Sequence, residues 1–286
     1  MSVKIERSTI MLKHYFQISL RNLFKNKTHT LINILGLSLG LISAGIIFLE
    51  VRYESNFDTH HDKPENIYRV ITEDRQYGEL DHGVGVPFPL TYALRNDFPE
   101  IPLISIVNKE SWSPVISATG SDGQLKRFIE EEAVLTDSVF FDIFSYEWIS
   151  GNPSTALTAP NQAVISRSRA EKYYGTLDVI GKRLNYDGAF DAEIVGVVED
   201  HPKQTELPFS LLLTFDYNED HDRYDRWNSV SSSVQCYLKL PDNIIPEQIE
   251  ARFPDFIEKY FDEETREYKT YLLQPLRQAH HDLDYG

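Results

Sequence analysis

The chain has 286 residues, of which 41% are apolar and 12% aromatic, so it can bury a substantial core and is not a disordered tail. Its net charge of -16 is unevenly spread, because residues 1–30 hold six Lys or Arg against one Glu and the rest holds 22 basic against 43 acidic residues. The acidic charge of residues 31–286 excludes nucleic-acid binding, because that function needs clustered cations. The single cysteine, Cys236, excludes an internal disulfide and a metal site made of several cysteines.

The first predicted element is a basic amphipathic helix within residues 1–28. In "MLKHYFQISLRNLFKNK" apolar side chains recur at helical spacing and the cations lie elsewhere around the helix. The apolar positions are Leu12, Phe16, Leu20 and Leu23, and the basic ones are Lys13, Arg21 and Lys25. This pattern is typical of a helix in the cytoplasmic membrane interface, near anionic lipid. A simpler alternative is that the helix only anchors and orients the chain.

Residues 29–51 are predicted to form a transmembrane helix. The stretch from Leu31 to Leu49 contains no charged residue, and its nineteen residues make about 28 Å of helix, close to a bilayer core of about 30 Å. A cleaved signal peptide is the main competing interpretation, but its apolar region is usually shorter and starts nearer the N-terminus. The third interpretation is that the segment forms a buried helix of a soluble protein.

The charges on either side of this segment predict its orientation. Basic residues precede it and acidic residues follow it, so the positive-inside rule places the N-terminus in the cytoplasm. The basic residues are Lys13, Arg21, Lys25 and Lys27, and the acidic ones are Glu50, Glu54, Asp58 and Asp62.

Small residues recur every four positions along the predicted span, at Gly36, Gly40 and Ala44. Residues at this spacing share one face of a helix and allow a second helix to approach closely. We therefore expect a helix-packing face here, although glycine and alanine are common in membrane helices in any case.

Residues 52–286 mix short strands with short helices in an order that predicts an α+β domain and not strict alternation. "NIYRVIT" is a predicted strand, "PFPLTYALRNDFPE" a helix, "RFIEEEAVLTD" a strand and "KTYLLQPL" a further strand. Cys236 is expected to be a core thiol within the strand "SVQCYLKL". A predicted helix over residues 246–261 contains Pro254, which must begin, bend or split it, and the run Glu130 to Glu132 is expected to be a solvated face.

No catalytic, metal or cofactor site is predicted. The local histidine clusters are His60 with His61 and His280 with His281, and neighbouring residues on a strand point to opposite faces, so we expect exposed loop histidines and no metal site. "DHGVGVPF" lacks a third glycine and a phosphate-binding lysine, and no Gly-x-Ser-x-Gly motif occurs. We expect no cofactor and no enzyme.

Several segments in one order resemble FtsX/MacB-type ABC transporter permeases with a large periplasmic domain, a kind abundant in Bacteroidota. The most specific is "LKHYFQISLRNLFKNKTHTLINILGLSLGL", which is similar to the interfacial helix and first span of the family. It is followed by "FDTHHDKPENIYRV", "PFPLTYALRNDFPEI", "FFDIFSYEWISGNPSTALTAPNQAVISRSRAEKYYG", "DVIGKRLNYDG", "IVGVVEDHPKQTELPFSLLLTF" and "LLQPL".

The resemblance implies a bacterial inner-membrane protein whose MacB-like periplasmic core domain, residues 52–286, has a porter-like part and an inserted distal lobe. It also implies mechanotransmission, in which a separate cytoplasmic ATPase drives movement of that domain. A homodimer or permease partner, a periplasmic or outer-membrane partner and membrane lipid are further expected contacts. The residues implied to lie near the ATPase are Phe16, Leu20, Arg21, Leu23 and Phe24.

Family members continue into three further spans, whereas this sequence stops at "LLQPLRQAHHDLDYG". The sequence is therefore expected to be a fragment, a truncated frame or a reduced relative. Two functional hypotheses remain open, namely a permease component of an ABC-type system and a single-span periplasmic sensor or adaptor without transport. A membrane-tethered enzyme is a third, for which the sequence reveals no convergent pocket.

Overall fold

The computed structural model describes most of the chain and divides it into two compact units, Met1–Ser55 and Asn56–Gly286. The residues described are 14–15, 17–18, 21–75, 78, 80–109, 112–215 and 225–280.

The first unit contains a 28-residue helix, α1, at Lys27–Glu54. Residues 21–25 are also helical, and the helix is interrupted at Asn26. None of the residues of α1 is buried, and its length and apolar composition make it the one helix among the described residues that is able to cross a membrane. At 1.5 Å per residue it is about 42 Å long, so it exceeds the thickness of a bilayer core.

The second unit mixes strands and short helices. The strands are β1 (Ile67–Asp74), β2 (Asp81–Gly83), β3 (Val86–Pro87), β4 (Leu103–Lys109), β5 (Val115–Thr119), β6 (Leu125–Ile129), β7 (Ala133–Thr136), β8 (Trp148–Gly151), β9 (Gln162–Ser166), β10 (Arg183–Tyr186), β11 (Phe190–Val198), β12 (Leu211–Thr214), β13 (Val230–Ser231), β14 (Val234–Lys239) and β15 (Lys269–Pro275). The helices are α2 (Phe88–Asp97), α3 (Phe140–Ile143), α4 (Arg167–Tyr174), α5 (Pro246–Glu250), α6 (Phe253–Tyr260), α7 (Glu263–Arg266) and α8 (Leu276–Ala279).

Thirteen of the described strands form one mixed sheet in the order β15-β1-β14-β4-β7-β12-β9-β11-β10-β5-β6, with β2 paired to β1 and β8 to β11. The pairs β7–β12 and β9–β11 are parallel, and the others are antiparallel. The strands at one end of the sheet, β15, β1, β14 and β4, come from the beginning and end of the unit. The middle of the chain supplies the other strands, which fits the expected insertion of one lobe into another.

Helices cover the sheet over three apolar clusters. In the first, α2, α5 and α6 pack against β1, β4, β14 and β15. In the second, Tyr173 and Tyr174 of α4 pack against β5, β9, β10, β11 and β12. In the third, Phe140 of α3 and Leu276 of α8 pack on the opposite face of the strands near Ile67. The mixed helix and sheet composition confirms the predicted α+β class.

Two local predictions are confirmed. Cys236 is fully buried in β14, where burial raises the pKa of its thiol to about 12, so it stays protonated and packs as a small apolar side chain. Pro254 splits the predicted helix over residues 246–261, because it occupies the first turn of α6, where a proline needs no backbone hydrogen bond.

The predicted solvated face at Glu130 to Glu132 is wrong for Glu130, whose side chain is fully buried between β6 and β7. Arg169 donates two hydrogen bonds to its carboxylate, from Nε to Oε2 at 2.6 Å and from Nη2 to Oε1 at 3.0 Å. Ser210 Oγ donates to Oε1 at 2.7 Å, and the Tyr173 hydroxyl donates to Oε2. Burial alone would raise the pKa of Glu130, but these hydrogen bonds outweigh it and lower the pKa.

We expect Glu130→Ala to lower the free energy of unfolding by about 3–5 kcal/mol, because removing one partner of a buried pair leaves Arg169 and two hydroxyls uncompensated. Glu131→Ala is the matched control, since the neighbouring side chain is exposed. Urea denaturation of the full chain in detergent measures both. Equal stability of the two variants would show that the cluster contributes nothing.

The same carboxylate gives the effect a definite pH dependence. Because its folded-state pKa lies below the ordinary value of 4.5, its contribution is present above that value and is lost as pH falls through the folded pKa. We therefore expect the stability difference between wild type and Glu130→Ala to be constant near neutral pH and to shrink below about pH 4.5.

Candidate functional site

The structure places the predicted helix-packing residues on one exposed side of α1. Gly36, Gly40 and Ala44 all lie within the helix and are exposed. A Cβ atom added at Gly36 or Gly40 would meet no other atom within 4 Å. Their role in helix packing stays a prediction.

Three of the predicted ATPase-proximal residues lie in the helical residues 21–25. Arg21, Leu23 and Phe24 are exposed there, and Phe24 keeps 70% of its surface accessible. Phe16 and Leu20 lie outside the described residues. An exposed phenylalanine beside basic residues suits either a lipid interface or a protein partner.

The most organised polar site begins four positions after the end of α1, at Asp58. Its side chain is fully buried and its backbone is left-handed, with φ of 54°. Thr205 Oγ1 donates to Oδ1 at 2.8 Å, and the backbone N–H of Glu206 is shared between Oδ1 at 3.2 Å and Oδ2 at 3.1 Å. The Asp58 N–H donates to the carbonyl of Gln204 at 3.1 Å. Asp58 therefore fixes the start of the second unit to residues 204–206.

Glu206 extends this contact to strands β1 and β4 of the sheet. Arg69 of β1 is 1% exposed and donates from Nη1 to Glu206 Oε1 at 3.2 Å. Its Nε and Nη2 donate to Gln274 Oε1 of β15 at 3.2 and 2.7 Å. Lys109 of β4 donates from Nζ to the carbonyl of Glu206 at 3.0 Å, and burial lowers the pKa of this lysine. The segment thus ties together three strands.

The last residue that the structure describes packs against the beginning of this unit. The rings of Phe57 and His280 are stacked with centroids 3.5 Å apart and an interplanar angle of 9°. His280 Nδ1 also lies 3.9 Å from Glu206 Oε2. We call the set of Phe57, Asp58, Arg69, Thr205, Glu206, Gln274 and His280 the clasp, because it joins the first residues of this unit to the last ones that the structure describes.

Two histidines lie beside the clasp in a turn and not on a strand, so the expectation that their rings diverge does not apply. The rings of His60 and His61 have centroids 3.9 Å apart. His61 Nδ1 accepts a hydrogen bond from the Ser145 N–H at 3.2 Å, and Phe144 and Tyr146 pack edge-on against its ring. His60 is exposed as a residue, but partial desolvation of its ring, followed by the neighbouring His61, lowers its pKa to about 4, so the ring is neutral at physiological pH.

The clasp and the two histidines beside it therefore contain a network of buried hydrogen bonds, one buried carboxylate and two imidazole rings. Among the described residues, Asp58, His60 and His61 form a group whose potential ligand atoms lie within 4.8 Å of one another. Our expectation of exposed loop histidines is wrong for His61, which is 4% exposed. His281 lies outside the described residues.

Sequence reasoning missed the clasp, because Asp58 looks like one more acidic residue after the span. Arg69 carried the available signal: it is the single charge within the apolar stretch of the strand "IYRVIT", and a charge buried in a sheet requires a partner. Glu206 could not be chosen as that partner from more than forty acidic residues without the fold.

The chain matches the family described as MacB-like periplasmic core domain over residues 30–256. No curated protein matches it. Among solved structures, a permease-protein domain from Porphyromonas gingivalis is 22% identical with a TM-score of 0.60, covering 77% of this chain and 92% of that one.

Two further structures align at lower scores. The periplasmic region of MacB from Actinobacillus actinomycetemcomitans is 13% identical with a TM-score of 0.45, covering 77% of this chain and 90% of its own. The extracellular domain of the noncanonic ABC-type transporter YknZ from Gram-positive bacteria is 12% identical with a TM-score of 0.46. The alignment covers 73% of this chain and 100% of that domain.

The likeness to the Porphyromonas gingivalis domain shows a common fold. The family match extends over most of the sequence and includes part of α1 and every strand of the large sheet except β15. This family is not in itself a class of enzymes. The chain therefore belongs to the family of MacB-like periplasmic core domains of ABC-transporter permeases.

Proposed function

We propose that the chain is a membrane permease component of an ABC-type system and relays an ATPase-driven conformational change to its periplasmic domain. The observation that carries this proposal is the family match, which runs from within an apolar helix of spanning length into a folded domain. The clasp supports it, because a relay needs the first residues after the span to be fixed to the domain that moves.

The proposed location is the bacterial inner membrane, with the N-terminus in the cytoplasm and the second unit in the periplasm. The positive-inside rule supports this orientation, since residues 1–30 hold six basic side chains and one acidic one. On this view residues 52–286 are the periplasmic core domain and residues 29–51 the span.

The proposed partner is a separate cytoplasmic ABC ATPase, because the sequence holds no Walker A lysine motif. Relatives of the MacB and YknZ kind work with such an ATPase, which supports this kind of partner. Arg21, Leu23 and Phe24 would form part of the contact, and lipid would cover the rest of α1.

The clasp would carry the movement onward. A displacement of the chain at Asp58 must either move residues 204–206 with it or break the buried hydrogen bonds that join them. Since Glu206 contacts Arg69, which in turn contacts Gln274, the same displacement reaches both β1 and β15. Contiguous contacts of this kind are the physical route by which distant sites are coupled.

We expect Phe24→Ser to reduce recovery of the ATPase with the full chain by about tenfold or more, because an exposed aromatic anchor of an interface commonly contributes at least 1.4 kcal/mol. Gln17→Ala is the matched control, a polar residue in the preceding helical segment. The measurement is affinity purification in detergent, followed by identification of a Walker-containing subunit and assay of ATP hydrolysis.

Absence of any ATP-hydrolysing subunit from the wild-type preparation would contradict the proposal. If a stable complex with a periplasmic or outer-membrane protein formed instead, equally well without nucleotide, the chain would be a single-span sensor or adaptor.

We expect Gly40→Leu to weaken association of α1 with a second helix, because the larger side chain keeps two backbones apart. Gly45→Leu is the control, since Gly45 is equally open but lies about 140° around the helix from Gly40. Energy transfer between labelled chains in lipid vesicles measures self-association. If both variants lost self-association equally, the face formed by Gly36, Gly40 and Ala44 would not be the one that packs against the second helix.

We expect Asp58→Asn to loosen the clasp, because the new amide group faces the N–H of Glu206 and leaves a buried donor without an acceptor, at a cost of about 1–3 kcal/mol. Amide exchange of residues 204–207 should therefore accelerate by about tenfold or more. Asp62→Asn is the control, because the Asp62 side chain is 76% exposed and pairs with Lys239 at the surface.

In the ATPase complex, Asp58→Asn should keep the ATPase bound and lose the nucleotide-dependent change in exchange of the periplasmic domain. A variant that keeps that change in full, despite faster exchange of residues 204–207, would show that the clasp is structural and not part of the relay.

A further inference from the structure

The turn after α1 brings two histidine rings to one side of Asp58. His60 and His61 lie in consecutive positions, yet their ring centroids are 3.9 Å apart at an angle of 47°. The left-handed backbone at Asp58 curls the chain so that its carboxylate lies beside them. A ligand atom from each of the three residues lies within 4.8 Å of the others.

One nitrogen in this group has no hydrogen-bond partner. His61 Nε2 is buried, with its whole side chain inaccessible, and it makes no hydrogen bond. A buried polar atom without a partner costs about 1–3 kcal/mol, so its persistence calls for an explanation. Its nearest acidic neighbour is Asp58 Oδ1 at 3.6 Å, which is too long for a hydrogen bond.

That distance fits two ligands of a single ion. Bonds of about 2.0–2.1 Å to nitrogen and oxygen in tetrahedral geometry separate two ligand atoms by about 3.3–3.4 Å. His60 is the third member, and it is exposed, so a fourth position would remain open to water. Two imidazoles and one carboxylate suit Zn²⁺ or a similar transition metal and not Ca²⁺ or Mg²⁺, which prefer oxygen ligands.

We propose that Asp58 Oδ1, a ring nitrogen of His60 and His61 Nε2 form a binding site for a divalent transition-metal ion of the Zn²⁺ class. The site stands on the geometry of the turn and does not depend on the transport function proposed above. It departs from our sequence-based expectation of exposed loop histidines and no metal site, which was argued from the divergence of neighbouring side chains in regular structure.

The hydrogen bond from Ser145 imposes a specific requirement on metal binding. While Ser145 N–H donates to His61 Nδ1, the neutral ring carries its proton on Nε2. For Nε2 to bind a cation, that proton must move to Nδ1, and the Ser145 N–H must then give up its acceptor. One hydrogen bond contributes about 1 kcal/mol, so this rearrangement weakens binding by about fivefold but does not prevent it.

The test uses the full chain, purified in detergent with an affinity tag free of histidine and titrated with Zn²⁺ by calorimetry. We expect one site per chain. His60→Ala should weaken it by at least about 100-fold, because even the loss of an outer-shell partner costs 10–100-fold. His60 is exposed, so this variant should fold, and an unchanged thermal melt without metal checks that it does.

His82→Ala is the matched control, because His82 also lies beside a carboxylate, that of Glu73 at 3.2 Å, but outside the proposed site. It should bind Zn²⁺ as the wild type does. Equal affinity in His60→Ala and the wild type, or no binding of Zn²⁺ by the wild type, would overturn the proposal.

A second readout follows from the displaced proton. Zn²⁺ should accelerate amide exchange at Ser145 in the wild type and in His82→Ala, but not in His60→Ala. If Zn²⁺ binds while the Ser145 amide keeps its protection, His61 Nε2 is not a ligand and the proposed site is wrong.

Discussion

The second unit depends most on one buried carboxylate. Asp58 is inaccessible to solvent, and an ionised carboxylate is stable in such a place only when hydrogen bonds replace its hydration. Thr205 and Glu206 supply them, and they do so across 147 and 148 positions of sequence. The path of the chain after α1 is therefore set by a segment from the far half of the fold.

Glu206 makes this contact more than a local anchor. Its N–H binds Asp58, its carbonyl binds Lys109 and its carboxylate binds Arg69. Arg69 is among the largest fully buried side chains and shares Gln274 between two of its nitrogens. Because each member loses a buried partner if another moves away, the network favours concerted displacement of β1, β4 and β15 over independent movement. Concerted displacement of this kind is what the proposed relay would require.

The features that could be predicted from the sequence are those determined by neighbouring residues. A charge-free run predicted α1, alternation placed Cys236 in a buried strand, and the stereochemistry of Pro254 required the predicted helix over residues 246–261 to begin, bend or split there. The buried role of Glu130 could not be predicted, because its partners Arg169 and Ser210 are distant in sequence.

The burial of His61 could not be predicted for a related reason. The argument from strand geometry was correct for a strand, but His60 and His61 lie in a turn. Nothing in the letters "FDTHHDKP" determines that Asp58 adopts a left-handed conformation. Its hydrogen bonds to residues 204–206 hold it there, so the local geometry of the turn is a consequence of tertiary contacts.

Asp58 can keep its hydrogen bonds in the clasp while binding a metal ion, because those hydrogen bonds are distributed over both of its carboxylate oxygens. The N–H of Glu206 is shared almost equally between Oδ1 at 3.2 Å and Oδ2 at 3.1 Å. If Oδ1 bound a cation, that N–H could shift fully to Oδ2, and Thr205 could keep its bond to the second lone pair of Oδ1. The ion would then neutralise a buried charge without opening the clasp. Metal binding and mechanical coupling at this carboxylate are therefore compatible, and the ion would be expected to rigidify the place where the chain enters the domain.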